Sequence, residues 1–248
     1  MLSRGHPATC RAQGRSRIDT RAQRKPSPGM AAYKLELEGA LLPPILQPAE
    51  LVQLASAFDD ERFIFELKHD GFRALAYITP DGCRLVSRRG NVYKSFGSLS
   101  NALSSLKCSA IQDGEIVTLD ENGRPRFYDQ LRRRGNAVFY AFDLLWQDGR
   151  DLRAVALLER KRALERLVTG HSKVLYAQHV ETRGCQLFEI VKDRDLEGIV
   201  AKRKDAAYGV EWFKIRNPAY SQYEGRRELF ERKRGSSVGG NSGRTLAS

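Results

Sequence analysis

The chain has 248 residues, 41% of them hydrophobic, enough for one sizeable core or for one main domain with tails. Its formal net charge of +12 favours a polyanionic partner, nucleic acid first. No apolar run approaches a membrane span, no apolar stretch marks a secretory signal, and Cys10, Cys83, Cys108 and Cys185 form no C-x-x-C pair, so an intracellular (cytoplasmic), reducing setting without zinc site, disulfide framework or membrane is expected.

Residues 1–32 are rich in Arg, Ser, Pro and Gly and poor in apolar side chains. They cannot offset chain entropy by burial and are expected to form a disordered basic tail. Arg4, Arg11, Arg15, Arg17, Arg21, Arg24 and Lys25 are opposed there only by Asp19, so part of the charge lies in the tail and the rest in the body. The tail faintly resembles an organelle transit peptide but carries no amphipathic helix. Initiation at Met30 is the other reading.

A folded domain is predicted over residues 40–222. Pro43, Pro44 and Pro48 predict an extended lead-in over residues 41–54, whose apolar side chains could pack along the edge of a first sheet. Short apolar runs at 63–67, 72–78 and 83–87 predict strands, with Pro80-Asp81-Gly82 as a turn. Leu99, Leu103 and Leu106 have helical spacing, and Ser98 could cap that helix. Residues 110–119 read as a strand broken at Asp113-Gly114, Asn122-Gly123 as a hairpin turn, and 138–146 as a long buried strand. Leu157, Leu164, Leu167 and Val168 make a helical stripe on a charged segment. A strand over 174–180, a helix over 186–193 and strands over 198–202 and 212–215 complete the domain. Many short strands with few helices predict an α+β fold built on antiparallel sheets. From residue 223 the chain turns basic, then Gly/Ser-rich, and is expected to be disordered.

The octet Glu66-Leu67-Lys68-His69-Asp70-Gly71-Phe72-Arg73 joins two predicted strands. A strand end fixes the lysine backbone, and a polar turn leaves its head group in a cleft, which suits a nucleophile. Asp-Gly is also a common hairpin turn, so the octet alone fits a solvated lysine equally well. It has the form K-x-D-G-x-R, and further segments follow in order. They are Ser87-Arg88-Arg89-Gly90, Asp113-Gly114-Glu115, Phe142-Asp143-Leu144-Leu145, Glu197-Gly198-Ile199-Val200-Ala201-Lys202 and Trp212-Phe213-Lys214-Ile215-Arg216. Together they resemble the motifs of the covalent nucleotidyltransferases: ATP-dependent DNA ligases, RNA ligases and mRNA capping enzymes. The Phe-Asp-Leu-Leu and Glu-Gly-Ile-Val-x-Lys forms look like ATP-dependent DNA ligases. Asn217-Pro218-Ala219-Tyr220-Ser221-Gln222 looks like small bacterial ligase-type proteins.

The resemblance implies an ATP-grasp-like adenylation domain of two antiparallel sheets flanked by helices. It implies ATP and Mg²⁺ as co-substrate and cofactor, and nicked double-stranded DNA as partner in repair or recombination. Lys68 would attack the α-phosphorus of ATP and carry AMP. With a reference pKa of about 10.4, a lysine must lose a proton to attack. Arg73, Lys214 and a divalent metal would favour the neutral amine and offset the phosphate charge. Glu115 and Glu197 are the implied metal ligands, Glu115 also facing ATP; Mg²⁺ prefers one or two carboxylates completed by water and phosphate oxygens. Phe142 would stack on adenine, although an aromatic in a buried strand is ordinarily core and Tyr140 and Trp146 share its alternation. Glu66 resembles the position that reads the adenine amino group. Arg88 resembles the residue touching the ribose and later the DNA 5′-phosphate, and Lys202 and Lys214 the lysines holding the α-phosphate. Arg216 stands where the family has a second lysine, keeping the charge but not the point geometry.

The region after Arg216 departs from the family. DNA ligases carry an OB-fold domain there, and about thirty residues are too few for a five-stranded barrel. An adenylation domain is therefore implied more firmly than a complete ligase. A partner protein could supply an OB-fold or DNA-end binding, or the basic residues 226–234 could contact DNA. The alternatives are an RNA ligase or capping-type enzyme, which would prefer RNA ends or GTP, and a nucleotide- or DNA-binding module without catalysis.

Overall fold

In the computed structural model, residues 42–43, 46–121, 123 and 135–222 are described. The two expected tails and the basic residues 226–234 lie outside them.

The elements run β1 (Val52–Leu54), β2 (Asp60–Leu67), β3 (Phe72–Thr79), β4 (Gly82–Ser87), a 3-10 turn (Lys94–Phe96) leading into α1 (Gly97–Ser104), and β5 (Ala110–Leu119). Then come β6 (Asn136–Gln147), β7 (Arg150–Asp151), α2 (Leu157–Val168), β8 (Val174–Tyr176), β9 (His179–Thr182), α3 (Gly184–Asp193), β10 (Gly198–Arg203) and β11 (Trp212–Arg216). Two sheets result, one ordered β1-β11-β10-β2-β9 and the other β4-β3-β5-β6-β7, with β8 also on β6. Pairing is antiparallel except for β1 on β11 and β8 on β6.

Each sheet buries one face under helices. In the first, Phe63, Phe65, Ile199, Ala201 and Ile215 pack with Val191, Leu187 and Phe188 of α3. In the second, Ala74, Ala76, Ile78, Ile116 and Phe139 pack with Leu99 and Leu103 of α1 and Leu164 and Val168 of α2. The period of two along each strand then sends the intervening residues to the opposite face.

The structure differs from the sequence expectations at several points. Residues 174–180 are not one strand: β8 joins the second sheet and β9 the first. The strand over 110–119 is unbroken; its register shifts at Asp113/Gly114 because β6 carries the extra residue. Ser98 lies inside α1, whose N-cap is Phe96 with no side-chain cap, and Leu106 lies past its end. The lead-in packs Leu42 and Leu46 on the face of the second sheet, against Leu75, Tyr77 and Val86, rather than along an edge. It continues as β1, beside β11 of the first sheet.

Candidate active site

The two sheets enclose an open cleft of about 770 Å³. Glu66, Lys68, Lys202, Lys214 and Arg216 line it from the first sheet, and Arg73, Glu115 and Phe142 from the second; Arg88 stands at its exposed rim. Every candidate site residue named from the sequence lines this cleft, all from strands or the turns after them except Glu197, which lies just before β10.

Lys68 opens the turn after β2. Its backbone N–H donates to the Gly198 carbonyl at 2.9 Å, fixing the turn to β10. Two glycines let the backbone pack closely around this turn: a Cβ on Gly71 would lie 2.1 Å from the Ile116 carbonyl oxygen of β5, and one on Gly198, at φ +154°, would lie 2.2 Å from the Ile215 carbonyl oxygen of β11. Asp70 is buried and accepts from the Tyr220 hydroxyl at 3.3 Å. The backbone N–H of Asn217 donates to the Glu197 carbonyl, so the segment after β11 props up both the lysine turn and Glu197.

The Lys68 side chain is 21% exposed, and its Nζ lies 2.6 Å from Glu197 Oε1. Burial pushes the Glu115 carboxyl up to about 8; Lys68 and Arg73 pull it down, while Glu197 and Asp113 add to the rise. A carboxylate so placed favours a cation. Among the described residues no group of three or more His, Cys, Asp or Glu is gathered to hold a metal. Two carboxylates on one cleft suffice for Mg²⁺, which completes its shell with water and phosphate oxygens, so Glu115 and Glu197 fit that ion.

Beside Lys68 the cleft is electropositive. Burial, then Arg216, Lys68 and Arg88, push the Lys214 ammonium below its usual pKa. Cations that disfavour one another this way make a site for an anion.

The other end of the cleft is aromatic. Register passes from Gly114↔Ala141 to Asp113↔Asp143, which leaves Phe142 as the bulged residue of β6. A bulge re-aims a side chain, and here it turns Phe142 into the cleft. Its ring meets Trp212 edge-on at 6.2 Å. Lys202 Nζ lies 4.3 Å from the Phe142 ring centroid and 2.6 Å from Glu66 Oε2. Lys202 thus pairs with Glu66 beside the aromatic rings, while Lys214 stands with Arg216, Lys68 and Arg88 on the same cleft. Arg73 likewise does not reach out freely. Its guanidinium is forked onto Asp113 at 2.7 and 3.0 Å, donates to the Ala49 carbonyl, and backs Phe142 at 5.4 Å.

Sequence reasoning missed several contributors. Lys161 of α2 is buried and donates to Glu66 Oε1 at 2.5 Å. Arg160, its neighbour, pairs with Asp143 behind the bulge. Tyr208 donates to Asp113 at 2.5 Å and accepts from the Ala49 N–H, tying the lead-in to the cleft. His69 stacks on Tyr140 at 4.0 Å, and burial, assisted by Lys68 against the pull of Glu66, pushes it down to about 4. The one detectable signal was charge on the apolar stripe: Lys161 falls four residues after Leu157 and three before Leu164. A Ser105–His171 contact at 3.1 Å lies elsewhere and is no nucleophile pair. His171 Nδ1 accepts two backbone N–H groups, so Nε2 bears the proton and cannot take one from Ser105.

Comparison with known proteins agrees with this geometry. The family model described as ATP dependent DNA ligase domain matches residues 44–216. The SPbeta prophage-derived DNA ligase-like protein LigB of Bacillus subtilis is 29% identical over 189 residues, covering 71% of this chain and 69% of that protein. The multifunctional non-homologous end joining protein LigD of Pseudomonas aeruginosa is 32% identical over 180 residues, 67% of this chain and 21% of its own length. A solved mycobacterial DNA ligase D complexed with ATP and MES superposes with TM-score 0.61 at 29% identity, over 69% of this chain and 60% of that one. The chain thus spans about a fifth of the LigD protein and about two thirds of LigB. No helix among the described residues is long and apolar enough to cross a membrane. With the family model matched over most of the chain and the motif residues gathered on one cleft, the chain belongs to the ATP-dependent DNA ligase domain family.

Proposed function

We propose that the chain performs ATP-dependent DNA ligation through a lysyl-AMP on Lys68. The observation that carries this reading is the placement of Lys68 Nζ in the cleft, 2.6 Å from Glu197, among the cations that push down Lys214. For attack the Lys68–Glu197 pair opens and Nζ loses its proton to water in the open cleft. Nζ then bonds to the α-phosphorus of ATP, and the bond to pyrophosphate breaks. Lys214, Arg216 and Arg88 supply positive charge for the phosphates, and Phe142 and Glu66 hold the base. Glu115 and Glu197 would hold Mg²⁺, which would offset phosphate charge as it builds. A DNA 5′-phosphate oxygen then attacks the AMP phosphorus and frees Lys68. A 3′-hydroxyl attacks the adenylated 5′-phosphate, the phosphodiester forms and AMP leaves. Nicked duplex is the proposed acceptor, and the end-joining name of the LigD relatives supports repair as the setting.

The test is incubation with α-labelled ATP and Mg²⁺, then denaturing electrophoresis. Wild type is expected to retain label and Lys68→Ala to lose it, with a nicked DNA then becoming sealed. Label from GTP instead, or sealing of RNA ends alone, would move the assignment to a capping-type enzyme or an RNA ligase. No label with either nucleotide would overturn the adenylation reading and leave a binding module.

A further inference from the structure

We propose that Lys161, a residue of α2 outside every ligase-like motif, sets the nucleobase specificity of the cleft by fixing Glu66 as an acceptor-only carboxylate. The inference rests on the adenylation reading. Glu66 is 2% exposed and lies on the cleft wall between two lysines. Lys161 donates to Oε1 at 2.5 Å and Lys202 pairs with Oε2 at 2.6 Å. Lys161 cannot wander, because it also donates to the Ala177 carbonyl at 2.7 Å and lies 4.3 Å from the Tyr176 ring centroid. Lys202, by contrast, also lies against Phe142 and Trp212, where a base would stack.

Protonation state decides what Glu66 can read. Burial alone would push its carboxyl up, and a protonated acid both donates and accepts. Lys161, then Lys202, reverse that push and hold the carboxyl below its ordinary value. An ionised carboxylate has about four acceptor sites, of which the lysines take two. The remainder can accept from an exocyclic amino group such as that of adenine. They offer nothing to a carbonyl at the same position of guanine, which is itself an acceptor and is repelled. Lys161 is thus a positioning residue: it acts on the base through Glu66.

The test compares lysyl-nucleotide formation with ATP and with purine riboside triphosphate, which lacks the 6-amino group. For Lys161→Met we expect kcat/KM with ATP to fall roughly tenfold to a hundredfold, the range for a hydrogen bond to a charged group. With purine riboside triphosphate the variant should stay within about twofold of wild type, since that contact is never made. A purely structural role would lower both substrates together, and that result overturns the proposal, as does no change with either. Thermal melting verifies that the variant is folded. Should it not fold, Lys161→Gln is judged by the same two substrates, and if neither folds Lys161 is a structural cation and the proposal falls. Absence of any adduct on wild type would instead defeat the adenylation reading beneath it.

Discussion

His69 illustrates how a side chain can sit beside Lys68, the proposed nucleophile, and act only through its environment. It follows Lys68, is flat against Tyr140 at 4.0 Å, and stays neutral because burial pushes it down to about 4. In the unfolded chain a histidine titrates near 6.5. Between those two values this histidine binds more protons in the unfolded state than in the folded one, so it contributes a loss of stability as pH drops from about 6.5 towards 4, against the opposite contribution of Glu115, whose raised carboxyl favours the folded state there. Substituting His69→Phe keeps a ring for Tyr140 and removes the proton, and it should flatten that acid limb in thermal melts across the range. An unchanged slope would place the acid sensitivity elsewhere. At this scale the sequence was legible wherever chemistry demands a residue type at a fixed spacing, as for Lys68, Glu115, Glu197 and Lys214. Lys161 escaped because its role comes from tertiary contact: nothing local states that a lysine on an apolar stripe will meet a glutamate 95 positions away.

Helix α2 is the element that sets the aromatic end of the cleft. Arg160 and Asp143 are both fully buried, joined at 2.7 and 2.8 Å, and Arg160 also donates to the carbonyls of Val155 and Ala206. Asp143 is the residue after Phe142, so this pair clamps the β6 bulge that aims the ring. Burial pushes the Asp143 carboxyl up even with Arg160 beside it. Arg160→Met strands a buried carboxylate and should cost about 3–5 kcal/mol in denaturant unfolding. The double variant Arg160→Met/Asp143→Leu removes both charges and should recover most of that loss. A double variant as weak as the single one would mean that the carbonyl contacts of Arg160, not the ion pair, hold the helix down. The apolar pattern located most strands but missed the short β1 and β7, and alternation does not say which sheet a strand enters. Residues 174–180 therefore read as one strand, and the bulge at Phe142 was invisible until β5 and β6 were seen in register.

On the scale of the whole molecule, the two proposed steps, adenylation and strand joining, ask different things of the same cleft. The first needs only a nucleotide, held by a buried carboxylate, an aromatic face and a compact group of cations. The second needs a duplex, whose phosphates must be met by side chains at the open rim. Arg88 and Arg216 are exposed there, and half-buried Lys214 extends the basic surface inward. Each phosphate neutralised releases counterions, so affinity falls with salt by a log–log slope near −0.9 per contact. With three contacts, duplex binding should drop roughly fortyfold between about 50 and about 200 mM salt. Lysyl-AMP formation involves no duplex and should change only a few-fold over the same range. Running both assays in one salt series separates the two demands. Arg88→Ala should then reduce the magnitude of the DNA slope by about 1; because Arg88 also faces the nucleotide, the label on Lys68 should fall too, with its own salt dependence unchanged. A sealing curve as flat as the adenylation curve would mean that the basic rim does not hold the DNA, and that the acceptor is brought to Lys68 by something other than this chain's charge.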